Sequence, residues 1–144
     1  MPVNINPQLG HANAHGDGGD INPAPLVLPN GSVVMMWRGG DHWYDVHLAS
    51  SPNWAAGPYN SSLSGSCFTN IDTKRRGVED PFMFRQPWPD VPGSFSYHAI
   101  FHDHSTFGGH AFSEDGHKFT YSPEVPFSSA VNYTDGTQVF IPPR

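Results

Sequence analysis

The chain carries a single cysteine, Cys67, in 144 residues. That excludes an intrachain disulfide and a thiolate metal cluster. Cations are scarce too. Seven Lys+Arg stand against thirteen Asp+Glu, for a formal net charge of −6. Neutralising nucleic-acid phosphates takes a basic patch, and the lone basic run, Lys74-Arg75-Arg76, reads as a solvated loop. No apolar run approaches the roughly 20 residues of a membrane-spanning helix, so no membrane partner is expected. The start, Met1-Pro2-Val3-Asn4, lacks the basic and apolar segments of a signal peptide. The expectation is a signal already removed, or a segment of a longer protein.

What the chain has in excess is Gly, Pro and aromatics: fifteen, fifteen and 13%. Helix interiors exclude Pro and penalise Gly, so the composition predicts short strands joined by tight turns. Strands are expected at Leu26-Val27-Leu28, Ser32 to Arg38 and Asp45 to Ser50, with Trp54 and Gly57-Pro58-Tyr59 closing a fourth. Asn30-Gly31 supplies the positive-φ positions of a hairpin between the first two. A second set is expected at Pro81 to Phe84, Phe95 to His102, Gly109 to Ser113 and Phe119 to Tyr121. Residues 60–77 read as a crossing, and Asp135-Gly136 marks a hairpin in the tail.

The two sets form a repeat. Asn22-Pro23 returns as Asp80-Pro81, 58 residues on, and His47-Leu48-Ala49-Ser50 returns as His110-Ala111-Phe112-Ser113, 63 residues on. A period of about 60 residues means stacked copies of one supersecondary unit. Four antiparallel strands per unit is a propeller blade. The fold expected is therefore all-β, with about two to two and a half blades of a five-bladed propeller. Blade-like units span about 22–60 and 79–122 of one partial domain covering 1–144. A closed ring needs at least about four blades, so further blades or an oligomer are expected to complete it.

Glu79-Asp80-Pro81 is the sharpest chemical candidate. Acids at the start of an inner strand point into the central funnel, and proline fixes their seat. Glycoside hydrolysis needs two carboxyl groups flanking the scissile bond, which neighbouring blades can supply. The plainer reading of Asp-Pro is a turn. The ordered set Asn22-Pro23-Ala24-Pro25, Leu28-Pro29-Asn30-Gly31-Ser32, Gly57-Pro58-Tyr59, Glu79-Asp80-Pro81-Phe82 and Gly108 to Gly116 resembles the five-bladed β-propeller glycosidases. The likeness is to uncharacterised members of the family 43 and family 32 type, over roughly residues 20 to 144. It implies a base or nucleophile, an Asp-Pro stabiliser and a general acid on successive blades. Asp80 matches the stabiliser. Asn22 stands where the repeat would put another acid, but an amide can only hydrogen-bond a sugar hydroxyl. The other two acids would lie on blades outside this segment, unless Asp17 or Asp20 serves.

The expected site is thus Asp80 and Glu79 as catalytic carboxylates, with Asn22, Arg38, Trp43, Trp88, His102 and His110 contacting substrate. Arg38 would pair with a catalytic carboxylate or face solvent. Trp43 and Trp88 would stack on sugar rings, whereas Trp37 reads as core. The acids of Ser113-Glu114-Asp115-Gly116 read as turn stabilisers outside the active site. His102-Asp103-His104, and His11, His15, Asp17 and Asp20, raise a zinc site as an alternative. Without a clear third ligand they read as polar groups around a sugar pocket, and no metal or cofactor is expected. The functional expectation is a secreted glycosidase carrying part of its site. Its localisation leans on three sequons, at Asn30, Asn60 and Asn132. The alternative is a non-catalytic carbohydrate-binding propeller.

Overall fold

The computed structural model describes residues 21–38, 46–61, 67–70, 78–103, 108–124, 126–127 and 130–140. All the regular structure among them is β. The first sheet joins β1 (Ile21–Val27), β2 (Val33–Arg38), β3 (Val46–Ser51) and β4 (Asn60–Ser61) in consecutive antiparallel order. The second has the order β5-β9-β8-β7-β6, from β5 (Phe68–Thr69), β6 (Glu79–Pro87), β7 (Phe95–His102), β8 (Gly108–Ser113) and β9 (Phe119–Ser122). A separate hairpin pairs β10 (Ala130–Asn132) with β11 (Gln138–Phe140).

This all-β arrangement of consecutive antiparallel strands matches the expected blades, with local differences. The strand expected at Leu26 begins at Ile21, through Pro23 and Pro25. Proline is tolerated there because β1 is an edge strand, where a missing N–H breaks no ladder. The strand expected at Trp54 to Tyr59 is instead a turn, with a cis Gly57–Pro58 bond and the Tyr59 hydroxyl donating to the Trp54 carbonyl. The fourth strand follows as β4. Within the expected crossing, Phe68-Thr69 forms β5 and runs parallel to β9. Buried Phe68 packs against Phe101 and Phe119, so one apolar side chain recruits this segment to the sheet edge.

The two sheets pack face to face. Ala24, Met36, Val46 and Leu48 of the first meet Met83, Ala99, Phe101, Ala111 and Phe119 of the second, and β1 lies against β6. Burying a ring such as Phe101 or Phe119 stabilises by about 1.5–3 kcal/mol. Cys67, Phe68 and Val78 seal the edge. Burial pushes the Cys67 thiol well above its ordinary value, which makes it an inert packing group. Trp37 is buried and stacks on His47, as a core residue.

Register defines the repeat in three dimensions. Ile21 pairs with Arg38 and Glu79 with His102, and both first strands then take one extra residue before Ala24–Met36 and Phe82–Ile100 pairing resumes. Asn22 is therefore the counterpart of Asp80, and Arg38 of His102. By the same register His110 corresponds to Leu48, and His47 to Gly109. The histidine match read from sequence is one residue out of step, which in a strand is a change of face. The outer turns show the true alignment. Asn53 Oδ1 accepts from the Ala55 and Ala56 amides, and Asp115 Oδ1 accepts from the His117 and Lys118 amides. Both follow a buried serine by two residues, Ser51 and Ser113.

Candidate active site

The site begins with two strained residues. Asn22 has φ of 55° and Asp80 φ of 47°, each at a bulge immediately before proline. Positive φ in a non-glycine residue is uncommon, and Asn and Asp tolerate it best. Such backbone costs on the order of 1–3 kcal/mol, and it clusters at functional sites. The bulges break the alternation of the inner strands and re-aim these side chains. In β6 the result is an exposed Asp80 between half-buried Glu79 and buried Pro81.

Glu79 ties the sheets together. Its Oε1 accepts a short hydrogen bond from Nη1 of Arg38, a residue 8% exposed at the end of β2. Its Oε2 lies 3.7 Å from Nδ1 of His102 at the end of β7. Since β1 pairs with β2 and lies against β6, this cluster sits beside both strained seats. Arg38, Glu79, Asp80, His102 and Asn22 thus gather at one end of the paired sheets. The carboxylate bonded to Arg38 is held in place, and that of Asp80 is open to solvent.

Of two further expected substrate contacts, Trp88 lies elsewhere and His110 pairs with a second histidine. Trp88 follows the far end of β6, eight residues beyond Asp80, or about 25 Å at about 3.3 Å per residue. His110 sits inside β8, where its Nε2 is 3.0 Å from Nδ1 of His98 and the two rings stack nearly parallel. Burial lowers the pKa of both imidazoles. The neighbouring His110 lowers that of His98 further, while Glu124 acts the other way on His110. Trp43, His104, His11, His15, Asp17 and Asp20 lie outside the described residues. Among the described residues no three His, Cys, Asp or Glu side chains are grouped to hold a metal ion. Asp115 has its carboxyl pulled down to about 2, first by the His117 and Lys118 amides, so it serves the turn.

Sequence reasoning resolves two features only in part. It offers Arg38 as the partner of a catalytic carboxylate or as a solvent-facing cation, and the structure bonds it to Glu79 across 41 residues of chain and between sheets, a choice no local spacing signals. Buried Asp103, beside His102, was read only as the middle of a His-x-His motif.

The architecture is all-β, and its fold is shared with one solved structure. A crystal structure of a glycosyl hydrolase from Bacteroides ovatus is similar over 91% of this chain, with a TM-score of 0.51 and 16% identity. This chain spans 36% of that protein's length. No protein-family model and no curated protein sequence matches the chain.

Proposed function

We propose that this chain is part of a carbohydrate-active propeller of the five-bladed glycosidase type, which hydrolyses glycosidic bonds of an oligo- or polysaccharide with carboxylate chemistry. The observation that carries the reading is the Glu79-Asp80 pair. Two adjacent acids occupy a strained bulge at the start of an inner strand, one fixed by Arg38 and the other open. In this reading Asp80 meets the sugar at the scissile bond. Glu79, Arg38 and His102 form a polar wall that holds Asp80 in position and offers hydrogen bonds to hydroxyls. The remaining acid or base comes from blades outside this segment, since hydrolysis needs a second carboxyl group across the bond.

A second reading has its own observation. Asn22 occupies the seat equivalent to Asp80, in nearly the same backbone conformation. An amide there suits hydroxyl binding and not proton transfer, which favours a non-catalytic carbohydrate-binding propeller.

The discriminating experiment is a screen of the full-length protein on nitrophenyl glycosides, with Asp80→Asn as the control. Asparagine already occupies the twin seat, so the variant is expected to fold normally. Loss of one catalytic group by mutation typically removes about 10²–10⁴-fold in turnover, the effect expected of Asp80→Asn if the enzyme reading holds. Full activity in the variant would remove Asp80 from the mechanism. Oligosaccharide binding with no turnover in the wild type would move the reading to the binding module.

A further inference from the structure

One face of the second sheet is paved with rings. Phe82, Phe84, His98, His110 and Phe112 run across β6, β7 and β8, each ring centroid 5.0–6.4 Å from the next. Ile100, opposite Phe82, extends the row. Phe82 is 60% exposed, and Phe112 is exposed as well. A contiguous apolar surface of this kind marks a contact with further protein. Its imidazoles do not argue against that. His98 has one ring nitrogen 2.8 Å from the Ser96 hydroxyl and the other 3.0 Å from His110. A polar group satisfied within its own sheet can be covered without a lost hydrogen bond.

Register shows what such a face meets. The counterparts of Phe82, Phe84, His98, Ile100 and His110 in the first sheet are Ala24, Leu26, Val34, Met36 and Leu48. Those residues pack on the second sheet, in one core with its Met83, Ala99, Phe101 and Ala111. The chain also leaves the second sheet across the ring-paved face. The Phe127 carbonyl accepts from the Gly108 amide at 2.9 Å. Gly108 stands two residues before His110, on the same face, and a Cβ there would lie 2.1 Å from the Phe127 ring. Val46 holds the place of Gly108 in the first sheet. There the Val46 carbonyl accepts from the Cys67 amide, and the Cys67 carbonyl accepts from the Phe119 amide of the second sheet. Cys67 thus bridges one sheet to the next. Phe127 stands at the start of the same crossing, with its ring exposed. A second copy of this unit offers no matching surface head to tail. The opposite face of the first sheet carries Val33, Met35, Trp37 and Ala49, and these are already buried.

We propose that the ring-paved face is the seat of a further antiparallel sheet of the same polypeptide, joined to the second sheet through Phe127. The chemistry of that partner follows from packing. Facing sheets keep about 10 Å between them and fill the space to interior density. The first seam does so with Met36 and Leu48 on one side and the small Ala99 and Ala111 on the other. In the second seam phenyl and imidazole rings replace aliphatic groups. The incoming sheet must therefore present small residues, Gly, Ala or Ser, at its counterparts of Ala99 and Ala111. The Phe127 ring takes the edge position that Cys67 seals in the first seam. The proposal rests on the propeller part of the proposed function and on none of its carbohydrate chemistry.

The test is hydroxyl-radical footprinting of the full-length protein, read by mass spectrometry. Phe82, Phe112 and Phe127 should be oxidised as slowly as the buried controls Phe101 and Phe119. Phe82→Ala should lower the melting point by about 5–10 °C, the effect of emptying a packed ring site. Sedimentation velocity on the same sample identifies the cover. Protection in the monomer supports a sheet of the same chain. Protection that disappears as a dimer is diluted to monomer marks a second copy and overturns the proposal. It is also overturned if the three rings react like exposed residues, or if Phe82→Ala melts with the wild type. No sugar enters these measurements, so failure of the glycoside screen would remove the proposed chemistry and leave this seam standing.

Discussion

At the start of β1 a strained seat before proline holds an amide, Asn22; at the start of β6 the same seat holds a carboxylate, Asp80. The residues before them differ as sharply, Ile21 in the first sheet and Glu79 in the second. So do the partners across the ladder, Arg38 and His102. One backbone plan therefore carries an apolar–amide pair in one sheet and two acids in the next. The first sheet still contributes to the acidic seat of the second, because its Arg38 reaches across to Glu79. The strained bulge is a property of the repeat, whereas the charge is a property of one copy. Strain alone thus does not set the two seats apart. What distinguishes the second is the coincidence of strain, an exposed acid and a fixed cation nearby.

The largest effect on stability should come from undoing that crossing. Glu79→Gln keeps the shape of the side chain but removes the charge facing Arg38, whose side chain is only 10% exposed. Breaking one partner of a buried ion pair costs about 3–5 kcal/mol, and the 29% exposure of Glu79 lowers the expectation to about 2–3. At about 2–4 °C per kcal/mol the melting point should fall by about 5–10 °C. Calorimetry on this variant beside Ile21→Val, a change at the twin position of the first sheet, reads the difference directly. Equal, small shifts in both would mean that Arg38 does not join the sheets energetically.

Much of this plan is legible in sequence because it is local. The apolar run ending at Arg38, the Asn30-Gly31 hairpin and the Asp135-Gly136 hairpin each follow from a few adjacent residues whose backbone needs are specific. The Asn-Pro and Asp-Pro motifs give the repeat for the same reason. What eludes sequence is non-local. β5 is two residues long, and its place is set by Phe68 finding Phe101 and Phe119. The Arg38–Glu79 bond has no spacing rule. Matching His47 to His110 by identity slips the register by one, because the loops between strands differ in length in the two copies, which a linear comparison cannot weigh. The same slip hides the face on which His110 meets His98.

A smaller effect should come from the pair that the corrected register aligns. In the first sheet the position holds His47, stacked on Trp37. Its counterpart is Gly109, and there Phe101, the counterpart of Trp37, lies across the bare backbone. A Cβ on Gly109 would stand 2.1 Å from the Phe101 ring, which is 1% exposed and has little room to move. Gly109→Ala should therefore cost about 1–3 kcal/mol by overpacking. Phe101→Leu should then cost less in the Gly109→Ala background than in the wild type. Strict additivity in that double-mutant cycle would refute the contact.

The least costly distinction is the substitution of imidazoles for aliphatic groups, His98 for Val34 and His110 for Leu48. Both histidines have their pKa lowered, chiefly by burial, so the unfolded chain binds protons more readily than the folded one. Stability from this source is complete above the unfolded value of about 6.5 and is lost as pH falls through and below it. Glu124 opposes the shift at His110, and the mutual repulsion of the two rings adds to it at His98. Each ring is half-buried, so the effect is modest. Melting points measured between pH 7.5 and 5 should decline for the wild type. The double variant His98→Val/His110→Leu, which copies the first sheet, should decline less. A parallel decline in both would assign the acid sensitivity to other groups.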